Sequence, residues 1–295
     1  MKSPIQSSWL LDYMILSICW GTSFLLMREA SMSFGPFLSS WLRVSIASLI
    51  LLPYIIEKGD LPRLVENWKK MVIAGLLSCA IPFCCFFYAL TSLSTGLSSV
   101  LNATTPLFGA LIAWFWLGEK LNPLRVAGLL LGFLGVSSLI LNASQPGELH
   151  NTQHVIAILA CLLGTFCYGL AANYSQKYMS NFSPMFNATG CLIGASVALF
   201  VPALLDLPKD WPSWSSTLAI TLSGVFSTAA AYALFFRIIS KIGAARSMTI
   251  TYLVSLIATC LGLYVLDESI TLVMVASALV VLMGTALSSG LVAKR

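Results

Sequence analysis

Charged side chains are scarce in this sequence. Sixteen Lys and Arg and eleven Asp and Glu amount to 9% of 295 residues, where soluble domains carry about 25%. So few charges cannot coat a water-soluble fold of this length, and the solvent facing most of the chain must be lipid. Acidic residues are missing from the middle of every apolar run: Asp12, Glu29, Glu57, Asp60, Glu66, Glu119, Glu148, Asp206, Asp210, Asp267 and Glu268 fall at run ends or between runs. A carboxylate near the bilayer midplane usually marks a proton or ion path, so its absence argues against carboxylate-mediated proton coupling. Histidine is reduced to His150 and His154, both at an aqueous end. With no carboxylate dyad and no histidine inside a run, a membrane-embedded enzyme lacks its nucleophile, base or metal. The chain reads as a non-enzyme without cofactor.

Other patterns are missing too. None of the eight cysteines forms a C-x-x-C pair, and all lie in apolar runs, which reads as small buried hydrophobes rather than metal or redox groups. His150 and His154 have helical i, i+4 spacing but no third ligand, so no metal is expected. The net charge of +5 comes without a basic stripe or an adjoining aromatic platform, which excludes nucleic acid as a partner.

What is abundant is apolar sequence, 58% of the chain. A hydrocarbon core of ~30 Å needs about 20 helical residues per crossing, because no backbone polar group can go unpaired there. Ten runs fit: 10–27, 36–56, 69–90, 97–117, 121–141, 154–176, 183–204, 214–236, 244–266 and 270–291. Helix punctuation separates them, as at Gly35-Pro36, Asn122-Pro123, Gln145-Pro146-Gly147 and Ser183-Pro184. The short polar stretch before the first run has no clear cleavage site, so that run is expected to be retained as a span. With the N-terminus inside, thirteen Lys and Arg fall on the inner side and only Arg28 and Lys209 on the outer, with Arg43 left within a span. The expectation is a multi-pass protein of the cell (inner) membrane with both termini cytoplasmic.

Glu119 laid over Glu268 aligns the two halves at an offset of 149 residues, and Gly135 then falls on Gly284. This divides the chain into repeats 1–145 and 146–295 of five spans each. Five is odd, so the second copy enters the membrane from the opposite face. The expected fold is an all-α polytopic protein of ten transmembrane helices in two inverted five-helix repeats, an arrangement that suits alternating access to a midplane site.

The residues also carry a resemblance. Trp20-Gly21-Thr22-Ser23-Phe24, Leu42-Arg43-Val44, Tyr88-Ala89-Leu90, and Asn102-Ala103-Thr104-Thr105-Pro106-Leu107 through Leu117-Gly118-Glu119-Lys120 resemble the first repeat of the EamA family of the drug/metabolite transporter superfamily. The resemblance implies ten helices, cytoplasmic termini, and a central cavity lined mainly by spans 1, 3, 4, 6, 8 and 9, with 5 and 10 peripheral. The second repeat, Tyr252-Leu253-Val254-Ser255, has Ser in place of the family's Pro, which leaves span 9 without that kink signal.

Within this frame the residues suggest a site. Pro106 lacks an N–H, so the Asn102 carbonyl loses its partner and span 4 can hinge there. Asn102 and Thr105 share that face, as a polar patch or as packing glue. Trp20, Tyr88, Tyr168, Tyr232 and Tyr252 would give an aromatic wall with a few hydroxyls, and Ser23 and Ser255 join the substrate-binding set. Trp9, Trp68, Trp114, Trp116, Trp211 and Trp214 lie near run ends, as interfacial residues do. Arg43 is either an anchor for a carboxylate or phosphate or a structural Arg bonded to carbonyls or snorkelling outward. Gly128-x-x-x-Gly132 with Gly135 is a small-residue seam, for packing within the chain or for a homodimer.

The resulting expectation is a secondary transporter of a small polar or amphipathic metabolite. On the resemblance alone, amino acids or related compounds moving outward come first; uptake of nucleosides, other metabolites or drugs is the alternative. A non-transporting scaffold or sensor is a further rival.

Overall fold

The computed structural model describes residues 4–142, 152–242, 247, 249–268 and 271–288. Among them every regular element is helical. We number the long apolar helices α1 (Pro4–Ser31), α2 (Pro36–Glu57), α3 (Trp68–Ala89), α4 (Thr95–Leu117), α5 (Pro123–Asn142), α6 (Thr152–Tyr178), α7 (Pro184–Leu205), α8 (Trp214–Gly224 continuing through Ala231–Ile242), α9 (Ile250–Val265) and α10 (Leu272–Ser288). A short helix, Leu61–Glu66, precedes α3.

The ten expected runs all appear as helix, but the expectation of ten full-length crossings is only partly met. Eight are long and apolar enough to span a bilayer. The 16 residues of α9 rise about 24 Å, short of the ~30 Å core, and α10 is also shorter. Residues 243–246 and 289–295 beside them lie outside the described set, as do His150, Glu148 and the Gln145-Pro146-Gly147 joint.

The boundaries follow from local chemistry. Gly35 is extended ahead of Pro36, which needs no N–H in the first turn. Ser94, Ser183 and Ser213 cap their helices by accepting from the backbone N–H groups of Leu97, Phe186 and Ser216. Gly118 ends α4 in the left-handed region, at φ 71°.

Three helices contain wider π turns: Leu76–Ala80 in α3, Ala113–Leu117 in α4 and Val225–Ala230 in α8. The first and last start at residues 76 and 225, the 149-residue offset already seen in the sequence. The principal contacts between the halves follow the same offset. The pairs α2–α7, α4–α9 and α5–α10 map onto themselves. In the same way α1–α8 answers to α3–α6, α1–α9 to α4–α6, and α2–α8 to α3–α7.

Small residues permit the closest of these contacts. A side chain added at Gly128 or Gly135 would strike the α10 backbone, and one at Gly284 would strike Gly132. The seam read in the sequence is therefore packed within the chain, by α5 against α10. Leu205, Phe115, Trp211 and Trp214 are mostly exposed, as expected of a surface that faces lipid and its interface.

Candidate functional site

A cavity of about 550 Å³ lies between the halves, within the roughly 300–1,000 Å³ of small-molecule sites. Its wall is largely aromatic. Trp20 of α1 packs on Phe235 of α8 with ring centroids 5.1 Å apart. Phe24 meets Phe86 of α3 edge-on at 6.0 Å, and Phe86 stacks on Tyr168 of α6 at 6.2 Å. Rings in mutual contact hold one another's orientation, so this wall is formed before any ligand arrives.

The α4 side is polar because that helix is broken. It is interrupted at Ala103 and Thr104, between Asn102 and Thr105. Pro106 cannot donate to the Asn102 carbonyl; the Thr105 hydroxyl does so instead, at 2.8 Å. The carbonyl expected to be free is thus satisfied inside α4, while Asn102, Thr105 and Pro106 all border the cavity. By contrast α9 runs unbroken through Ser255, the position where the offset would place a second proline. Next to this break, Gly109 and Gly169 bring the α4 and α6 backbones together, and Asn173 Nδ2 donates to both of their carbonyls, at 3.0 and 2.8 Å.

Arg43 is the one wall residue from α2. It is only 4% exposed. Its Nε donates to Thr228 Oγ1 at 2.8 Å and its Nη2 to the Ser227 carbonyl at 3.5 Å, both in the π turn of α8. The guanidinium carbon sits 4.2 Å from the Phe83 ring centroid. Nη1 has no hydrogen-bond partner, and among the described residues no carboxylate pairs with this cation.

The two ends of the cavity differ. Beyond the buried Phe24 and Met27, Arg28 pairs with Glu268. Glu268 also accepts from Thr95 N at 2.8 Å, Thr95 Oγ1 at 2.9 Å and Gly96 N at 3.4 Å. A carboxylate therefore sits on the positive N-terminus of α4 while holding the end of α1. Nearby, Asp206 accepts from the N–H groups of Phe37 and Leu38 at 2.7 and 3.2 Å, closing α7 onto the start of α2. At the other end the lining reaches Glu119, Arg125 and Gln176, and Glu119 is exposed and pairs with Arg125 at 3.6 Å. Lys177 lies 4.9 Å from the Trp116 ring centroid and does not pair with Glu119. At this end α1 is tied to α8 by Asp12, which meets Arg237 at 3.4 Å and Lys241 at 3.1 Å.

The profile of the EamA-like transporter family matches residues 7–141 and again 155–290. This chain belongs to the EamA family. Similar curated proteins include the uncharacterized transporter YvbV of Bacillus subtilis, 26% identical over 90% of this chain and 86% of that one. A WAT1-related chloroplastic protein of Arabidopsis thaliana is 26% identical over 89% of this chain and 65% of its own length. PagO of Salmonella typhimurium is 23% identical over 88% and 85%. A solved structure described only as "Crystal structure of protein" has the same fold, with a TM-score of 0.66, 20% identity and 97% of both chains covered. As an EamA member with eight helices of spanning length, the chain is a multi-pass membrane protein.

The cavity is formed by α1, α3, α4, α6, α8 and α9, as the EamA resemblance implied, with α2 added through Arg43; α5 and α10, implied to be peripheral, also reach it through Arg125 and Ser288. Trp20, Ser23, Arg43, Asn102, Thr105, Pro106, Tyr168 and Tyr232 meet there. Three of the residues expected there do not. Tyr88 is near the end of α3, half-buried against the hydrophobic core. On α9 the lining residues are Ile250, Thr251 and Val254; Tyr252 lies off their face, while Ser255, one turn beyond Thr251, is turned toward α4. Ser255 Oγ instead donates to the Ser99 carbonyl at 3.0 Å, joining α9 to α4. Residues absent from the expected set are Phe83, Phe86, Asn173, Gln176 and Phe235. Asn173 and Gln176, amides in an apolar run, carried a readable signal; the phenylalanines carried none, since apolar spans are full of them.

Proposed function

We propose that this EamA member is a secondary transporter that moves a small polar or amphipathic metabolite across the cell (inner) membrane by alternating access between two inverted five-helix halves. The observation that carries this reading is the cavity between the halves, whose lining reaches an exposed carboxylate at one end and stops beneath an ion pair at the other. The double family match and the shared 149-residue offset of the π turns support two repeats, divided near residue 145. The distribution of Lys and Arg supports cytoplasmic termini, which makes the Glu119 end cytoplasmic and the Arg28–Glu268 end external.

The repeat supplies the second state. Arg28 and Glu268 correspond, at the 149-residue offset, to Lys177 and Glu119. One pair is closed and the other is apart. In the reading proposed here the cycle exchanges them, releasing Arg28 from Glu268 as Lys177 reaches Glu119. Amino acids or related compounds leaving the cell are the first substrate class to test. A counterflow screen in liposomes, repeated with a pH gradient, tests the function; absence of flux for every metabolite class would favour a scaffold or sensor.

A further inference from the structure

The proposed function leaves the substrate's charge open, and Arg43 bears on it. Resting on the transporter reading, we infer that the substrate is an organic monoanion whose carboxylate is received by Arg43, with its apolar body against the Trp20–Phe235 and Phe86–Tyr168 rings.

Three observations lead there. First, the guanidinium is a buried cation at the cavity wall with one nitrogen unpartnered and no carboxylate paired to it among the described residues. A buried charge is ordinarily paired, and the partners Arg43 does have, a hydroxyl, a carbonyl and a ring face, neutralise nothing. Second, among the described residues the only other charged ones on the wall, Glu119 and Arg125, pair with each other at the mouth. The deep cavity therefore carries a single uncompensated positive charge, which a bound carboxylate would balance through a planar fork of donors.

Third, the repeat does not copy this residue. If Arg43 served only to fasten α2 to α8, the equivalent joint of α7 to α3 would need the same fastening. The equivalent position is Leu192, fully buried, and that joint closes by apolar and glycine contacts, with Gly194 against Met71 and Gly75 against Cys191. The fold thus makes this joint without a charge in one half and keeps the charge where it meets the cavity. Among the described residues the wall offers no unpaired carboxylate to face an ammonium, so an amine on the substrate is not required.

Thermal unfolding of the purified, detergent-solubilised protein against three probes of one shape tests the inference: hydrocinnamate, hydrocinnamyl alcohol and phenylpropylamine. The expected result is stabilisation by hydrocinnamate at about one-tenth the concentration needed for the alcohol, and none by the amine. Arg43→Gln should bring acid and alcohol to equal affinity, and Arg43→Lys should retain part of the preference. Equal stabilisation of the native protein by acid and alcohol overturns the inference, as does no stabilisation by any of a series of monocarboxylates from acetate to hydrocinnamate. The native-protein comparison does not depend on whether either variant folds. Counterflow that ignores substrate charge would leave the transporter reading standing without this inference. Charge-selective binding without flux would do the reverse.

Discussion

Trp20 and Asn102 face each other's cavity from opposite halves of the chemistry, one a ring and one an amide. Each is built into the wall by a neighbour: Phe235 fixes the ring, and the proline break sets the amide at the end of a helix segment. Trp20→Ala and Asn102→Ala are expected to lower counterflow by about tenfold while membrane insertion, read by immunoblot of isolated membranes, stays at the native level. Tyr252→Phe should leave flux unchanged, because that ring is off the cavity face. Thr105→Val leaves the Asn102 carbonyl without its donor and should destabilise the protein by about 1–3 kcal/mol, measured by thermal or denaturant unfolding. Trp20, Asn102 and Pro106 were legible in the sequence because a deep tryptophan, an amide and a proline are all anomalies in an apolar run. Tyr252 and Ser255 were misplaced for a different reason. A helix surrounded by lipid and other helices has no polar face to orient it, so the sequence does not say which of its sides meets the cavity.

At the scale of elements, close helix pairs and the shared caps at helix ends do most of the organising. The α5–α10 pair depends on the absence of side chains, and Gly284→Leu should cost about 1–3 kcal/mol or more by forcing the two backbones apart; lowered unfolding temperature is the readout. The seam itself was visible as spaced glycines, but its partner was not, since small residues do not name what approaches them. Glu268 acts on two helices at once, as partner of Arg28 and acceptor at the start of α4. Glu268→Gln should loosen the closure at that end, which the proposed orientation places outside. In a background without native cysteines, Met27→Cys should then react about fivefold faster with an impermeant maleimide added outside. No rate change would show that the ion pair does not hold that end shut. The sequence exposed Glu119 and Glu268 as equivalents; it did not expose that only one of them has a basic partner from α1 or α6, because the two halves occupy different arrangements.

For the whole molecule, the positions of the apolar helices, two of which proved shorter than a full crossing, were written in composition and punctuation. The enclosure was not, because its shape depends on how ten helices turn about their own axes, which packing decides. Orientation can be checked directly: Gln176→Cys should be labelled from the cytoplasmic face and Ser92→Cys from outside, and the reverse would invert the assigned direction of opening. The unrepeated Arg43 has one more consequence. If a monoanion cancels it, the loaded carrier presents no net charge in the membrane interior and the empty carrier presents one. Voltage would then act on the empty return leg alone. Net efflux from potassium-clamped liposomes should vary with the imposed potential, while exchange of internal for external solute, which never takes the empty leg, should not.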